Sequence, residues 1–184
     1  MSTLQVENLI GPTSGANANK VIIPSGQTLD ASNGFVAPAG SVIQTVNTAT
    51  TAAFSTNSTS MQTVLSCNIT PKFSTSKVLI NINAMLYKSA SGTSSTGASF
   101  LTIYRDGSAI PEANFPQDGG TSTAHAYAWW FTAATENIYH MSRSFINAPS
   151  TSSQTTYSFL MKTGAGQTTN CYSGVQLILQ EIAQ

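Results

Sequence analysis

The sequence reads as an all-β protein: a short-stranded N-terminal segment over residues 1–44, then an antiparallel β-sandwich head of jelly-roll type over residues 45–184. Three observations carry that reading. Apolar residues alternate with polar ones at period two in segment after segment, while almost no stretch shows helical periodicity. Clusters of Gly, Pro, Asn and Ser bound those segments at short intervals, with no helix between them, which favours antiparallel pairing. Finally, only 8% of the 184 residues are charged while Ser and Thr exceed a quarter of the chain, so the surface is solvated by hydroxyls and amides.

Before Thr45 the apolar units "TLQVENLI", "NKVIIP", "GQTLDAS" and "GFVAPAGSVIQ" are very short and broken by Gly or Pro. None can build a sheet that buries much by itself, so the segment needs identical copies or a docking partner to cover its apolar side. Leu4, Val6, Leu9, Val21, Ile22, Ile23 and Leu29 are the residues expected to pack there.

The stretch "TVNTATTAAFSTNSTSMQTVLSCNITP" follows, punctuated by Phe54, Met61, Val64, Leu65 and Ile69. Its Thr content suits one or two outer strands joined by a Ser/Thr turn; a flexible linker is the competing expectation. In "KVLININAMLYKS", Val78, Ile80, Ile82, Ala84 and Leu86 share one face, with Asn81, Asn83 and Tyr87 opposite, the pattern of a half-buried strand. "ASFLTIYRDGSAI" carries Asp106-Gly107, a two-residue hairpin signal that should pair strands about Ile103 and Ala109. "AHAYAWWFTA", "NIYHMSRSFINAP", "TTYSFLMKTG" and "GVQLILQEIA" complete the series, and the glycines of "TGAGQTTN" suggest a hairpin between the strands at Leu160 and Val175. The tracts "SASGTSSTGAS", "PQDGGTSTA" and "APSTSSQ" read as exposed loops.

Little chemistry is on offer. Seven acids, seven bases and two histidines are scattered along the chain, and formal net charge is zero, which argues against nucleic-acid or anionic-membrane partners. Asp106 is accounted for as a turn residue, and Glu181, interrupting the apolar face of the last strand, is expected to pair with a Lys or Arg of a neighbouring strand or of another copy. His125 and His140 are single histidines on strands, read as ordinary polar positions in preference to metal ligands or axial residues where copies of the chain meet. Cys67 and Cys171 lack metal or disulfide spacing and read as buried thiols. No nucleophile elbow or phosphate loop is present. No catalytic residue, metal or cofactor is therefore assigned, and the expected function is not enzymatic. No apolar run reaches the length of a membrane span, and neither a basic start nor a signal-type core opens the sequence, so membrane insertion and secretion are not expected. The run "YAWWF" is the sharpest local feature. Alternation sends Tyr127, Trp129 and Phe131 to one side and Trp130 to the other; one face is expected in the core, and the other at a subunit interface or stacked on sugar rings.

Taken together, "NKVIIPSGQTLDASNGFVAPAGSVIQ", "ITPKFSTSKVLIN", "LTIYRDGSAI", "TTYSFLMKTGAG" and the closing "LILQEIAQ" resemble short tail-fibre and appendage proteins of bacteriophages, marine and cyanobacterial ones in particular. The resemblance implies a homotrimer with an N-terminal virion-attachment and stalk segment and a head similar to tumour-necrosis-factor or C1q-like jelly rolls. It further implies a virion structural protein, assembled in the host cytoplasm, that docks on other virion proteins through its N-terminus. The head would contact the host surface, where a glycan is a candidate partner, or another fibre subunit. A capsid decoration or head-fibre (cement) protein is the alternative, and a carbohydrate-binding module the second.

Overall fold

The computed structural model describes residues 12–16, 18, 20–22, 24–26, 37–87, 96–110, 127–132, 138–164 and 168–184, for 96–98 and 127–132 the backbone alone. The chain divides into two compact units, Met1–Val36 and Ala37–Gln184.

In the first unit the described residues form turns at 13–16, 18 and 25–26 and irregular backbone at 20–22, with the Ala18 N–H donating to Gly15 O at 3.1 Å and Gly15 and Gly26 at positive φ. Val21 and Ile22 remain 50% and 54% exposed in the single chain. Leu4, Val6, Leu9, Ile23 and Leu29 lie outside the described residues.

The second unit is built from strands, with no helix among the described residues. In chain order they are β1 (Val42–Ala49), β2 (Phe54–Thr56), β3 (Gln62–Ile69), β4 (Lys77–Tyr87), β5 (Thr96–Arg105), β6 (Ser108–Ala109), β7 (Tyr127–Thr132), β8 (Ile138–Asn147), β9 (Thr155–Thr163), β10 (Thr169–Cys171) and β11 (Gln176–Ile182). All pairings are antiparallel. The partners nest: β1 with β11, β3 with β9, β4 with β8, β5 with β7. Successive nested pairs fall alternately in a six-stranded and a five-stranded sheet. A long ribbon folded over in this way is a jelly roll, and the two cross-pairings β11–β4 and β9–β5 stitch each half together.

Period-two alternation decides which side of each sheet is dry. In β4, Val78, Ile80, Ile82, Ala84 and Leu86 are buried while the intervening residues are not. They meet Leu177 and Leu179 of β11 and, from the opposite sheet, Leu101, Ile103, Tyr157, Phe159 and Met161 in one continuous core. Each such aliphatic or aromatic side chain contributes on the order of 1.5–3 kcal/mol on full burial, so this unit has a core sufficient for itself. Cys67 and Cys171 are buried free thiols within it.

The Asp106-Gly107 hairpin forms as the residues dictate. Tyr104 pairs with Ala109 and Arg105 with Ser108 across a turn whose two central residues have φ of 49° and 81°, the doubly positive geometry of a type I′ turn. Asp106 also sews the turn to the start of β9: its N–H donates to Thr156 O at 2.9 Å and its Oδ1 accepts from Thr156 N at 2.8 Å.

Three expectations change. The Thr/Ser-rich stretch is neither a linker nor one or two strands; it supplies β1, β2 and β3, with β1 and β3 at the edges of opposite sheets. The sequence boundary at Thr45 falls inside β1, which is paired to β11 from Val42. "TGAGQTTN" is not a hairpin, because β9 belongs to the five-stranded sheet and β10 to the six-stranded one. The connection crosses between layers, and glycine spacing alone does not distinguish a crossing from a turn within one sheet.

Candidate functional site

The chain enters the sandwich beside its own C-terminus, where Gly40 N donates to Ala183 O and Ala183 N to Ser41 O, each at 2.9 Å. This end is held by two polar ties. Glu181 is fully buried, with Oε2 accepting from Gln44 Nε2 at 2.6 Å and Oε1 from the backbone N–H groups of Lys72 and Phe73 at 2.7 and 3.3 Å. Its partners are thus an amide and a loop backbone, in place of the Lys or Arg expected, because the β3–β4 loop turns its N–H groups inward over the strand end. Gln44 Nε2 donates also to Thr70 O at 2.7 Å, which fixes the orientation of its amide. The second tie is Asn147, whose Oδ1 accepts from Tyr157 Oη at 2.7 Å and Arg105 Nη1 at 2.9 Å, joining β8 of one sheet to β5 and β9 of the other.

The outward face of the six-stranded sheet can be laid out from its register. Nearest the chain entry stand Val42 opposite Ile182 and Leu79 opposite Ile146. Val42 and Ile146 are 53% and 55% exposed, so this end carries an apolar patch, in which the exposed Lys77 stands opposite Ile182 and Gln180 opposite Leu79. The middle rows are mostly polar: Asn47, Asn81 and Ser144, with Ile178 of β11 between the two Asn, then Gln176, Asn83 and Ser142. Towards the far end come Met85 opposite His140 and Tyr87 opposite Ile138, with the rings of Tyr87 and Tyr172 4.2 Å apart.

Here the sheet is interrupted. One edge of β4 is taken by β11 as far as Asn83 and by β10 from Leu86, and the chain turns between them at Ser173-Gly174. Gly174 has a φ of +84°, with open space where a Cβ would lie. The interruption leaves an open groove of about 400 Å³ lined by Asn83, Met85, His140, Ser142, Ser173 and Gly174.

The predicted interface residues Tyr127, Trp129, Trp130 and Phe131 lie on β7, which pairs with β5 at the edge of the five-stranded sheet, Trp129 opposite Ser99 and Trp130 opposite Ala98; their side chains lie outside the described residues. His125 lies outside them too, whereas His140 is exposed on β8. Among the described residues no group of three or more His, Cys, Asp or Glu could hold a metal ion, and no helix is long and apolar enough to cross a membrane. Burial pushes the Cys171 thiol up to about 11, against a small opposing effect of a backbone hydrogen bond with Phe54. Of the groove residues, the sequence singled out His140, as an ordinary polar position, and Asn83, on the outward face of β4; their convergence was not legible because they come from three separated segments.

The described unit defines a jelly-roll β-sandwich. No family model matches the chain, and no curated protein does. Solved structures do match, among them "Structure of infectious bursal disease virus Gt strain", at 16% identity and a TM-score of 0.38 over 88% of this chain and 43% of that one. The chain therefore spans less than half the length of the structure it matches.

Proposed function

We propose that this protein is a trimeric bacteriophage virion appendage, a tail fibre or fibre-like component, whose N-terminal segment docks on the virion and whose jelly-roll unit is presented outward. The observation that carries the reading is the contrast between the units: a sandwich with a complete core of its own follows a segment whose Val21 and Ile22 stay half exposed in one chain. Apolar side chains left in water at a turn-rich segment gain stability when copies of the chain cover them. The patch of Val42, Ile182, Leu79 and Ile146 beside the chain entry extends that requirement to the head, with Lys77 the one charged residue opposite it in the β4–β11 register. A surface solvated by hydroxyls, with a fold whose strands are nearly all paired, suits a particle exposed outside cells.

Deleting residues 1–18 tests the anchor: the head should still fold and trimerise but no longer join particles, and unchanged incorporation would refute the assignment. Labelling the protein on intact particles separates a tail position from a capsid decoration.

A further inference from the structure

We infer that the groove at the break in the six-stranded sheet is a binding site for a neutral saccharide. The inference rests on the reading of the head as the outward, host-contacting part of an appendage, and it assigns that contact to particular side chains.

A comparison within one strand pair carries it. Asn81 and Ser144 stand directly opposite each other in the β4–β8 register, and Ser144 Oγ donates to Asn81 Oδ1 at 2.6 Å. Asn83 and Ser142 form the next outward row of the same ladder, again an Asn facing a Ser, yet no hydrogen bond joins them. Elsewhere on the sheets outward polar residues also pair across strands, Ser66 with Ser158 at 2.8 Å and Gln180 with Thr45 at 3.4 Å. Such pairing is not universal, since Asn68 opposite Thr156 also lacks it, but at the groove the unpaired row stands together with His140 and Ser173, which make no side-chain hydrogen bond among the described residues.

The lining selects the ligand class. Asn83, Ser142, Ser173 and His140 together offer both donors and acceptors, which suits a partner that presents hydroxyls in several directions. Among the described residues no Lys, Arg, Asp or Glu lines the groove, and the lining they provide favours neither an anion nor a cation. Met85 supplies an apolar floor for the C–H face of a ring, and the Tyr87–Tyr172 pair stands beside it, Tyr87 being the next outward residue of β4 and Tyr172 the neighbour of Ser173. A volume of about 400 Å³ falls in the range of small-ligand sites, roughly 300–1,000 Å³. The position also fits: the groove uses the second half of β4, the first half of β8 and the β10–β11 turn, away from the end where the chain enters.

The test uses the full chain on an array of neutral hexose, deoxyhexose and N-acetylhexosamine oligosaccharides, followed by titration of the strongest binder. Asn83→Ala, Ser142→Ala and His140→Ala should each weaken that binding by about threefold to tenfold. Asn81→Ala, whose side chain is already paired, should leave it unchanged. Absence of binding at millimolar saccharide, or binding indifferent to all three groove variants, would overturn the site. So would protection of a Ser142→Cys thiol from maleimide in the assembled protein, which would place the groove inside a contact between copies or with a peptide strand. A chain that trimerises and joins particles but binds no saccharide loses this site alone; one that binds through the groove as a monomer absent from particles keeps the site and loses the appendage reading.

Discussion

Glu181 Oε1 accepts a hydrogen bond from the backbone N–H of Lys72 at 2.7 Å, closing the β3–β4 loop onto the last strand of the chain. With Gln44 on the other oxygen, this fully buried carboxylate ties together β1, β11 and the loop at the end where the chain enters. Glu181→Ala leaves the Lys72 N–H and the Gln44 amide without their acceptor and should cost about 2–4 kcal/mol. Glu181→Gln keeps one acceptor but sets two amide donors against each other, because Gln44 Nε2 is already committed to Thr70 O; it should cost about 1–2 kcal/mol. Urea denaturation of both variants checks the order, and a Gln variant worse than the Ala one would contradict it.

Tyr157 and Asn147 form the tie between the sheets. Tyr157→Phe preserves the ring in the core and removes its hydrogen bond to Asn147, so a loss of about 1 kcal/mol is expected. Asn147→Ala removes an acceptor from both Tyr157 Oη and Arg105 Nη1 and should cost more, about 2–3 kcal/mol. Equal losses in thermal unfolding would mean that the Arg105 contact is worth nothing.

The Asp106-Gly107 turn makes a conformational prediction. Gly107 sits at a φ of 81° with open space about its missing side chain, so Gly107→Ala meets no clash and still suffers the left-handed backbone, at about 1 kcal/mol. Asp106→Asn tolerates the same backbone and keeps an acceptor for Thr156 N, so it should be nearly neutral in chemical denaturation.

Cys171 sets an alkaline limit. Its thiol titrates near 9.0 when free and is pushed up to about 11 by burial in the fold. Because the folded state holds its proton more tightly, the contribution is intact below pH 9 and is lost as pH rises towards 11. The melting temperature of the native chain should therefore fall more steeply across that interval than that of Cys171→Ala, and parallel curves would contradict this. At neutral pH both buried thiols should react with iodoacetamide only after unfolding.

Where sequence and structure agree, the deciding residues act locally. Val78 to Leu86 alternate, and the strand is buried on that face; Asp106-Gly107 can adopt two positive φ values, and the hairpin closes there. Where they part, the cause is long-range. Glu181 found loop N–H groups contributed from more than a hundred residues away, and no pattern in "LILQEIAQ" encodes them. The step from β9 to β10 crosses layers because β10 is captured by β4 and β2, a competition between strands that the glycines between them do not record. The groove likewise exists only because β10 and β11 share one edge of β4 and leave a gap.

The apolar patch should respond selectively. Val42 and Ile146 are largely exposed in one chain, so Val42→Lys with Ile146→Lys should leave the circular-dichroism spectrum unchanged while separating or weakening the assembly. An unaltered assembly would remove this patch from the interface.

Light scattering coupled to size-exclusion chromatography of the full chain bears most directly on the central claim. Three copies should elute together, at three times the 19.3 kDa of one chain and independent of dilution into the low micromolar range. A stable 19.3 kDa monomer would contradict the account, because Val21, Ile22, Val42 and Ile146 would then have no copies to cover them.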